Sequence, residues 1–208
     1  MADIKFKGKT IITPKGEAKW CKVTEPDRKF NSKGTYSTDL VIDPNDSNVK
    51  KFIEDLDAML EEAYQSQLKE LAPAKAKSLT KRPTFKDEYD AEGNETGKLV
   101  INFAMKDVDD RDIGDNKIKV FDTKGSPLTR VPLVGNGSTI KVQAYIKASY
   151  MSSTNSIGIS RYWKGLQIIT LNSFAKGNAF EAEDGDFEAG DEVTTTNFTS
   201  EESDELDF

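Results

Sequence analysis

The alternation of apolar and polar residues predicts a series of short β-strands in the first 176 positions. Residues 35–42 and 138–151 alternate most regularly, and a period of two is typical of strands that bury one face. The residues predicted to face the core are Tyr36, Thr38, Leu40 and Ile42 in the first stretch and Ile140, Val142, Ala144 and Ile146 in the second. Further strands are predicted at residues 3–13, 17–23, 98–105, 117–121 and 157–171.

One long amphipathic helix is predicted between these strands, at residues 47–71. Apolar side chains recur from Val49 to Leu68 at spacings of three and four, while acids such as Glu54 and Glu61 line the opposite side. An apolar stripe of this width is typical of a helix that packs on a core. Strands and helix together predict a mainly β domain at residues 1–176, a small closed or partly closed barrel with one inserted helix.

Residues 177–208 lack this periodicity and are predicted to form a disordered acidic tail. Residues 181–208 contain twelve Asp or Glu and no Lys or Arg, whereas the whole chain has 29 basic and 36 acidic residues. Residues 1–180 therefore retain 29 basic against 24 acidic residues, a net charge of +5 against −12 for the tail. Blocks of like charge stay solvated and often serve as interaction tails. A basic body with such a tail suits a polyanion-binding protein or a protein that docks a basic partner.

The composition excludes several kinds of chemistry. The chain has no histidine, which removes the usual zinc ligands and the Ser-His and Cys-His nucleophile pairs. Cys21 is the single cysteine, which fits a reducing cytoplasm. No apolar run approaches the roughly 18 residues of a membrane helix, and residues 1–7 lack the apolar core of an export signal. We therefore expect a cytoplasmic protein that is not an enzyme, has no cofactor and binds no membrane.

The acidic run at residues 107–116 is the candidate for a metal site. It departs from the calcium-loop pattern counted from Asp107, because Asp112 stands where glycine is required and Ile118 where glutamate is required. A solvated acidic loop is therefore favoured, and no metal is expected. A nuclease that uses these carboxylates with magnesium is the alternative, and it would cleave DNA.

Basic and aromatic residues are interleaved in the body of the chain. Single-stranded nucleic acid is bound by cations that contact phosphates and by rings that stack on bases. This pattern predicts a DNA-binding site, with Trp20, Phe30, Tyr36 and Tyr150 as the stacking candidates, whereas Trp163 is expected in the core. The candidate DNA-binding residues are Lys19, Trp20, Lys22, Arg28, Lys29, Phe30, Lys33, Tyr36, Lys81, Arg82, Lys147, Tyr150, Arg161 and Tyr162.

Three stretches carry a resemblance to a known family. They are residues 34–42 followed by Glu61-Glu62-Ala63-Tyr64, residues 120–142 with their Gly-rich turn, and the acidic end that closes on Asp207-Phe208. In this order and spacing, the chain resembles the single-stranded DNA-binding proteins of phage replication systems, the type found in T-odd short-tailed coliphages. The resemblance implies an OB-fold, a five-stranded Greek-key barrel with an inserted helix. It also implies a role in DNA replication and recombination in the cytoplasm of the infected bacterial host, and often a homodimer.

The resemblance also implies roles for particular residues. The tail would compete with DNA for the basic groove and dock replication proteins, DNA polymerase or helicase/primase. Tyr150 matches a family tyrosine, but Met151-Ser152-Ser153 stands where the family has a further aromatic, and Arg161-Tyr162-Trp163 is the candidate replacement. The tail residues expected to bind the partner are Glu201, Glu202, Asp204, Glu205, Leu206, Asp207 and Phe208. The alternative is an acidic-tailed chaperone or adaptor that captures basic proteins and does not bind DNA.

Overall fold

The computed structural model describes residues 6–107 and 117–172. Its strands are β1 (Lys9–Ile12), β2 (Gly16–Asp27), β3 (Thr35–Ile42), β4 (Thr80–Lys81), β5 (Lys86–Tyr89), β6 (Glu95–Lys106), β7 (Lys119–Phe121), β8 (Thr139–Met151) and β9 (Ser156–Thr170). Its helices are α1 (Ser47–Glu70) and α2 (Pro73–Lys77). The predicted tail at residues 177–208 and most of the acidic run, residues 108–116, lie outside the described residues.

Five of these strands close into a barrel. β2 pairs with β3, and β3 pairs with β6, both antiparallel. β6 then meets β9 in a parallel arrangement at Ala104 and Tyr162, β9 pairs antiparallel with β8, and β8 returns to β2 at Gly16 and Ile140. The order in space differs from the order along the chain, since the fifth barrel strand lies between the third and the fourth. This is an OB-fold, and it confirms the predicted fold class.

The core fills the barrel as the alternation predicted. All eight residues predicted to face inward from β3 and β8 are at most 5% exposed. Trp163 is 0% exposed, as expected for a core residue, and its indole N–H donates to the carbonyl oxygen of Gly165 at 2.9 Å. Full burial of an apolar side chain of this kind contributes about 1.5–3 kcal/mol to the free energy of unfolding. Because the inward positions of these strands form the core, only their outward positions are available for a functional site.

Helix α1 is inserted between the second and the third barrel strand. Its N-cap is Asp46, whose carboxylate accepts hydrogen bonds from the backbone N–H groups of Asn48 and Val49 at 2.7 and 3.3 Å. Its buried face, from Val49 to Ala63, contacts β8 and β9, which confirms that the apolar stripe packs on the sheet. In the described ranges, no helix is long and apolar enough to cross a membrane.

Strand β2 is longer and less regular than the alternation of residues 17–23 predicted. Its pairing with β3 shifts register between Lys19 and Lys22 and again between Lys22 and Asp27. Trp20 lies at the first shift and has a φ of 53°, a left-handed backbone conformation that residues other than glycine rarely adopt. A bulge of this kind turns side chains away from the simple two-residue period.

Candidate nucleic-acid interface

An open groove with a volume of about 760 Å³ crosses the outer surface near β3, β6 and β9. Its described lining contains four cations and no carboxylate, and the exposed ring of Tyr162 lies among them. The cations are Arg82, Lys106, Arg161 and Lys164. A groove of one charge sign with low-dielectric walls concentrates counter-ions of the opposite sign, so this surface favours an anionic ligand.

Two arginines are held in place in this groove by uncharged partners. Arg82 Nη2 donates to the carbonyl oxygen and the hydroxyl of Ser149, both at 3.0 Å, and Arg161 Nη1 donates to the carbonyl oxygen of Thr84 at 2.7 Å. Within residues 6–107 and 117–172, neither guanidinium forms an ion pair with a carboxylate. The orientation of both groups is therefore fixed by hydrogen bonds that leave their charges without an ion-paired carboxylate in these ranges.

The electrostatics of this pair favour a bound anion. Burial, and then the charge of Arg82, lower the pKa of the Arg161 guanidinium, and only Asp39 acts in the opposite direction. The Nε of Arg82 is buried without a hydrogen-bond partner in the described residues. An arginine stays charged at neutral pH, and its fork of N–H donors matches the oxygens of a phosphate. A phosphate between the two side chains would relieve their mutual repulsion.

The exposed ring in the groove has a second ring beside it on the neighbouring strand. Tyr162 is 44% exposed, and its ring centroid lies 6.3 Å from that of Tyr145, its partner in the β8–β9 register. Gly8 packs so closely on Tyr145 that a Cβ there would lie 2.3 Å from the tyrosine oxygen. Tyr145 was not predicted as a site residue, although the alternation of residues 138–151 already placed it on the outer face. Its ring restricts the positions that the ring of Tyr162 can adopt on that side.

The loop between β2 and β3 borders the groove through Asn31 and carries four of the predicted residues. Arg28 is anchored there, since its guanidinium donates to Asp107 Oδ2 at 2.6 Å and to the carbonyl oxygen of Ser32 at 2.9 Å. Phe30 is 91% exposed, and the Lys29 ammonium lies 5.3 Å from its ring centroid. Lys33 completes the set in the same loop. The ring of Phe30 is therefore open to a base.

Of the fourteen predicted DNA-binding residues, three line the groove itself: Arg82, Arg161 and Tyr162. Three others are engaged elsewhere in the fold. Tyr36 is 5% exposed and belongs to the core, so its ring cannot stack on a base, and the prediction for it is wrong. Lys19 is paired with Glu88. The hydrogen bond from Lys19, and then the one from Thr96, lower the pKa of the Glu88 carboxyl.

Lys81 is turned toward helix α1. Its ammonium is paired with Glu61 and lies 4.7 Å from the ring centroid of Tyr64. The hydrogen bond from Lys81, and then the one from Gln65, lower the pKa of the Glu61 carboxyl. These contacts attach the segment after the helix to the helix itself, so we assign Lys81 a structural role.

Tyr150 and Lys147 lie on β8, next to strand β9. The hydroxyl of half-buried Tyr150 donates to Asn155 Oδ1 at 2.8 Å, and the Asn155 amide donates to the carbonyl oxygen of Lys75 at 2.8 Å. Tyr150 thus holds the β8–β9 turn against the segment that leads to Arg82. Lys147 is half-buried and pairs with Ser160, which lines the groove. The remaining predicted residues, Trp20 and Lys22, line a second cleft together with Arg28.

An OB-fold surface that combines cations with exposed rings has the features with which such barrels bind oligonucleotides. The comparison with known families gives the same class. A family model described as the single-stranded DNA-binding protein of bacteriophage T7 matches residues 15–162 of this chain. The chain belongs to this family of single-stranded DNA-binding proteins. It is a family of binding proteins and not of enzymes, as the missing histidines led us to expect.

Individual relatives are distant in sequence but similar in length. The single-stranded DNA-binding protein of Enterobacteria phage T3 is 24% identical over 212 residues, which cover 95% of this chain and 88% of the relative. The single-stranded DNA-binding protein of Escherichia phage T7 is 24% identical over 185 residues, which cover 83% of this chain and 79% of the relative.

Two solved structures share the fold. The crystal structure of gp2.5, a single-stranded DNA-binding protein of bacteriophage T7, superposes with a TM-score of 0.65 at 21% identity and covers 88% of this chain and 100% of that one. The C-terminally truncated single-stranded DNA-binding protein of bacteriophage Enc34 gives a TM-score of 0.50 at 13% identity. This match covers 79% of this chain and 87% of that one.

Proposed function

We propose that this protein binds single-stranded DNA in the groove near β3, β6 and β9. The observation that carries the proposal is the described lining of four cations without a carboxylate around the exposed ring of Tyr162. Phosphates of the DNA backbone contact Arg82 and Arg161, and unpaired bases stack on Tyr162 and Phe30. The surface of the second and third strands and the adjoining loops is also where OB-folds bind oligonucleotides.

The salt dependence of binding tests this function. If the four cations of the groove each neutralise one phosphate, the slope of log K against log salt is about −2.8, so affinity falls about 50-fold between 50 and 200 mM salt. Fluorescence anisotropy of a labelled oligo-dT measures this slope, and a duplex of equal length serves as the comparison. An affinity that does not change with salt would contradict the groove. Absence of binding would favour the acidic-tailed adaptor instead.

We further infer a role in phage DNA replication and recombination inside the infected bacterial cell. The support is the family membership together with the charge of residues 181–208, twelve acids without one base. The tail competes with DNA for the groove and docks a replication protein, DNA polymerase or helicase/primase, through its last eight residues. The barrel acts as a homodimer in this proposal.

A single added methyl group tests the position of Arg82. A Cβ at Gly158 would lie 2.9, 3.0 and 3.1 Å from the Nε, Cβ and Cζ of Arg82, so the Gly158→Ala substitution pushes that side chain off Ser149. A hydrogen bond to a charged group contributes about 1.5–3 kcal/mol, so we expect oligo-dT affinity to fall about tenfold or more. Anisotropy measures the loss, and a thermal melt verifies that the barrel is folded.

The matching control for Gly158→Ala uses Arg82 itself. Gly158→Ala acts through the guanidinium, so it should have little further effect on affinity in a protein that already carries Arg82→Ala. Independent sites give additive changes in free energy, whereas coupled sites do not. Fully additive losses would show that Gly158 affects binding by a route other than Arg82.

A further inference from the structure

A second cleft, with a volume of about 610 Å³, lies beside the β2–β3 loop and is not needed for the proposed groove. Two large apolar side chains on its lining are exposed to solvent: Trp20 is 68% exposed and Leu133 is 64% exposed. Exposed apolar residues that share one concave surface point to a ligand more strongly than isolated ones do.

The backbone at Trp20 is strained in order to present this ring. Its φ of 53° lies in the left-handed region, which costs free energy for a residue with a side chain. The Trp20 N–H donates to Asn136 Oδ1 at 2.9 Å, and Asn172 Nδ2 donates to the carbonyl oxygen of Asn136 at 2.8 Å, so the strained backbone is held by Asn136, which Asn172 fixes in turn. Strain that the surrounding structure maintains is concentrated at functional sites.

The charges of this cleft differ from those of the groove. Lys22 and Arg28 are balanced by Glu25 and Asp27 on the same lining, and Arg28 also forms an ion pair with Asp107 at 2.6 Å. A surface with balanced charge has little attraction for a phosphate. An exposed indole with an apolar neighbour instead offers a stacking partner for a neutral, planar base.

One loop borders both the cleft and the groove. Arg28 lines the cleft and Asn31 lines the groove, and the highly exposed Phe30 lies between them in the chain. Arg28 Nη1 donates to the carbonyl oxygen of Ser32 at 2.9 Å, which ties the two ends of this short crossing together. A DNA strand that leaves the groove over Phe30 would be directed toward the cleft that Trp20 lines.

We propose that Trp20 forms a second base-stacking site, occupied by the same DNA strand after it crosses the loop at Phe30. This inference rests on the proposed function, since it extends the path of that strand. An oligonucleotide long enough to cross the loop contacts Trp20, whereas one that only fills the groove does not. Because the cleft is balanced in charge, its contribution to affinity does not depend on salt, unlike that of the groove.

Tryptophan fluorescence tests the second site directly. Trp163 is fully buried, so quenching by DNA reports on Trp20. OB-folds bind about 4–16 nucleotides, so we compare dT oligonucleotides of about four and about sixteen nucleotides, each followed in parallel by anisotropy. We expect both to bind, and only the longer one to quench. Binding of the longer oligonucleotide without quenching would overturn the proposal, as would equal quenching by both lengths. Failure of both to bind would overturn the proposed function itself.

Trp20→Gly separates stacking from folding. Glycine adopts a φ of 53° without strain, so the melting temperature should stay the same or rise. Affinity for the longer oligonucleotide should fall about fivefold or more, with an unchanged salt slope, while the shorter one binds as before. Tyr162→Leu is the control that weakens both lengths. Unchanged affinity of Trp20→Gly for the longer oligonucleotide would overturn the second site.

Discussion

Replacing Arg82 and Arg161 together by glutamine should weaken binding of single-stranded DNA at least about 100-fold at low salt, at roughly 1.5–3 kcal/mol for each charged hydrogen-bonding group. The two guanidiniums are fixed by Ser149 and Thr84 and have no carboxylate partner in the described residues, so a phosphate meets preorganised donors. The slope of log K against log salt should become shallower by about 1.4, because two phosphate contacts are lost. Anisotropy titrations at four or five salt concentrations measure both quantities.

The control removes a positive charge elsewhere. Lys51 on α1 is exposed and paired with Asp55 at 3.6 Å, so Lys51→Gln should leave both affinity and slope nearly unchanged. The double arginine variant should also be no less stable than the parent, since the two half-buried like charges repel each other in the folded protein. An equal loss with Lys51→Gln would show that only net charge matters. A loss of affinity with an unchanged slope would show that the arginines do not contact phosphate.

Deleting residues 181–208 should tighten DNA binding about tenfold at low salt. A tethered segment reaches an effective concentration in the millimolar range, so a tail that binds the groove even weakly competes with DNA. The twelve acids of this segment supply the competing charge. The gain should disappear as salt screens the contact between tail and groove, within a Debye length of about 8 Å at physiological ionic strength. Equal affinity of the two proteins at low salt would contradict the competition.

Phe208→Ala is the matched variant for the tail deletion. It keeps all twelve acids, so DNA affinity should equal that of the intact protein, whereas binding to DNA polymerase or helicase/primase should be lost. Pull-down with each purified replication protein measures the second effect. A change in DNA affinity comparable to that of the deletion would assign the competition to the aromatic end and not to the charge.

Much of the fold could be predicted because burial follows simple periods. The two-residue period placed Leu40 and Ile140 in the core, and the three-to-four spacing from Val49 onward placed α1 within a residue of its observed end. These patterns arise from local geometry, in which each strand or helix exposes one face to the core. The closure of five strands into an OB-fold came from the family resemblance, because pairing between distant strands has no local signal.

The site was harder to predict because it depends on contacts between residues far apart in the chain. Lys19 and Lys81 looked like free cations until the fold brought Glu88 and Glu61 to them. Two patterns gave conflicting predictions for Tyr36. Its ring near basic residues predicted stacking on DNA, whereas its inward position in an alternating strand predicted burial, and the ring is buried.

Tyr145 was missed for the opposite reason. Its outward position was recognised, but its role arises from the register that sets it against Tyr162, with ring centroids 6.3 Å apart. The strained conformation of Trp20 likewise depends on the bulge in β2, which alternation alone does not reveal.

Photo-cross-linking tests most directly whether DNA lies in the groove. The protein is irradiated with an oligo-dT in which 5-iodouracil replaces single thymines, and the adducts are located by mass spectrometry of peptides. We predict adducts on Tyr162 and Phe30, the exposed rings of the groove and its bordering loop. Adducts confined to helix α1, with none between residues 28–36 or 156–164, would contradict the groove as the binding site.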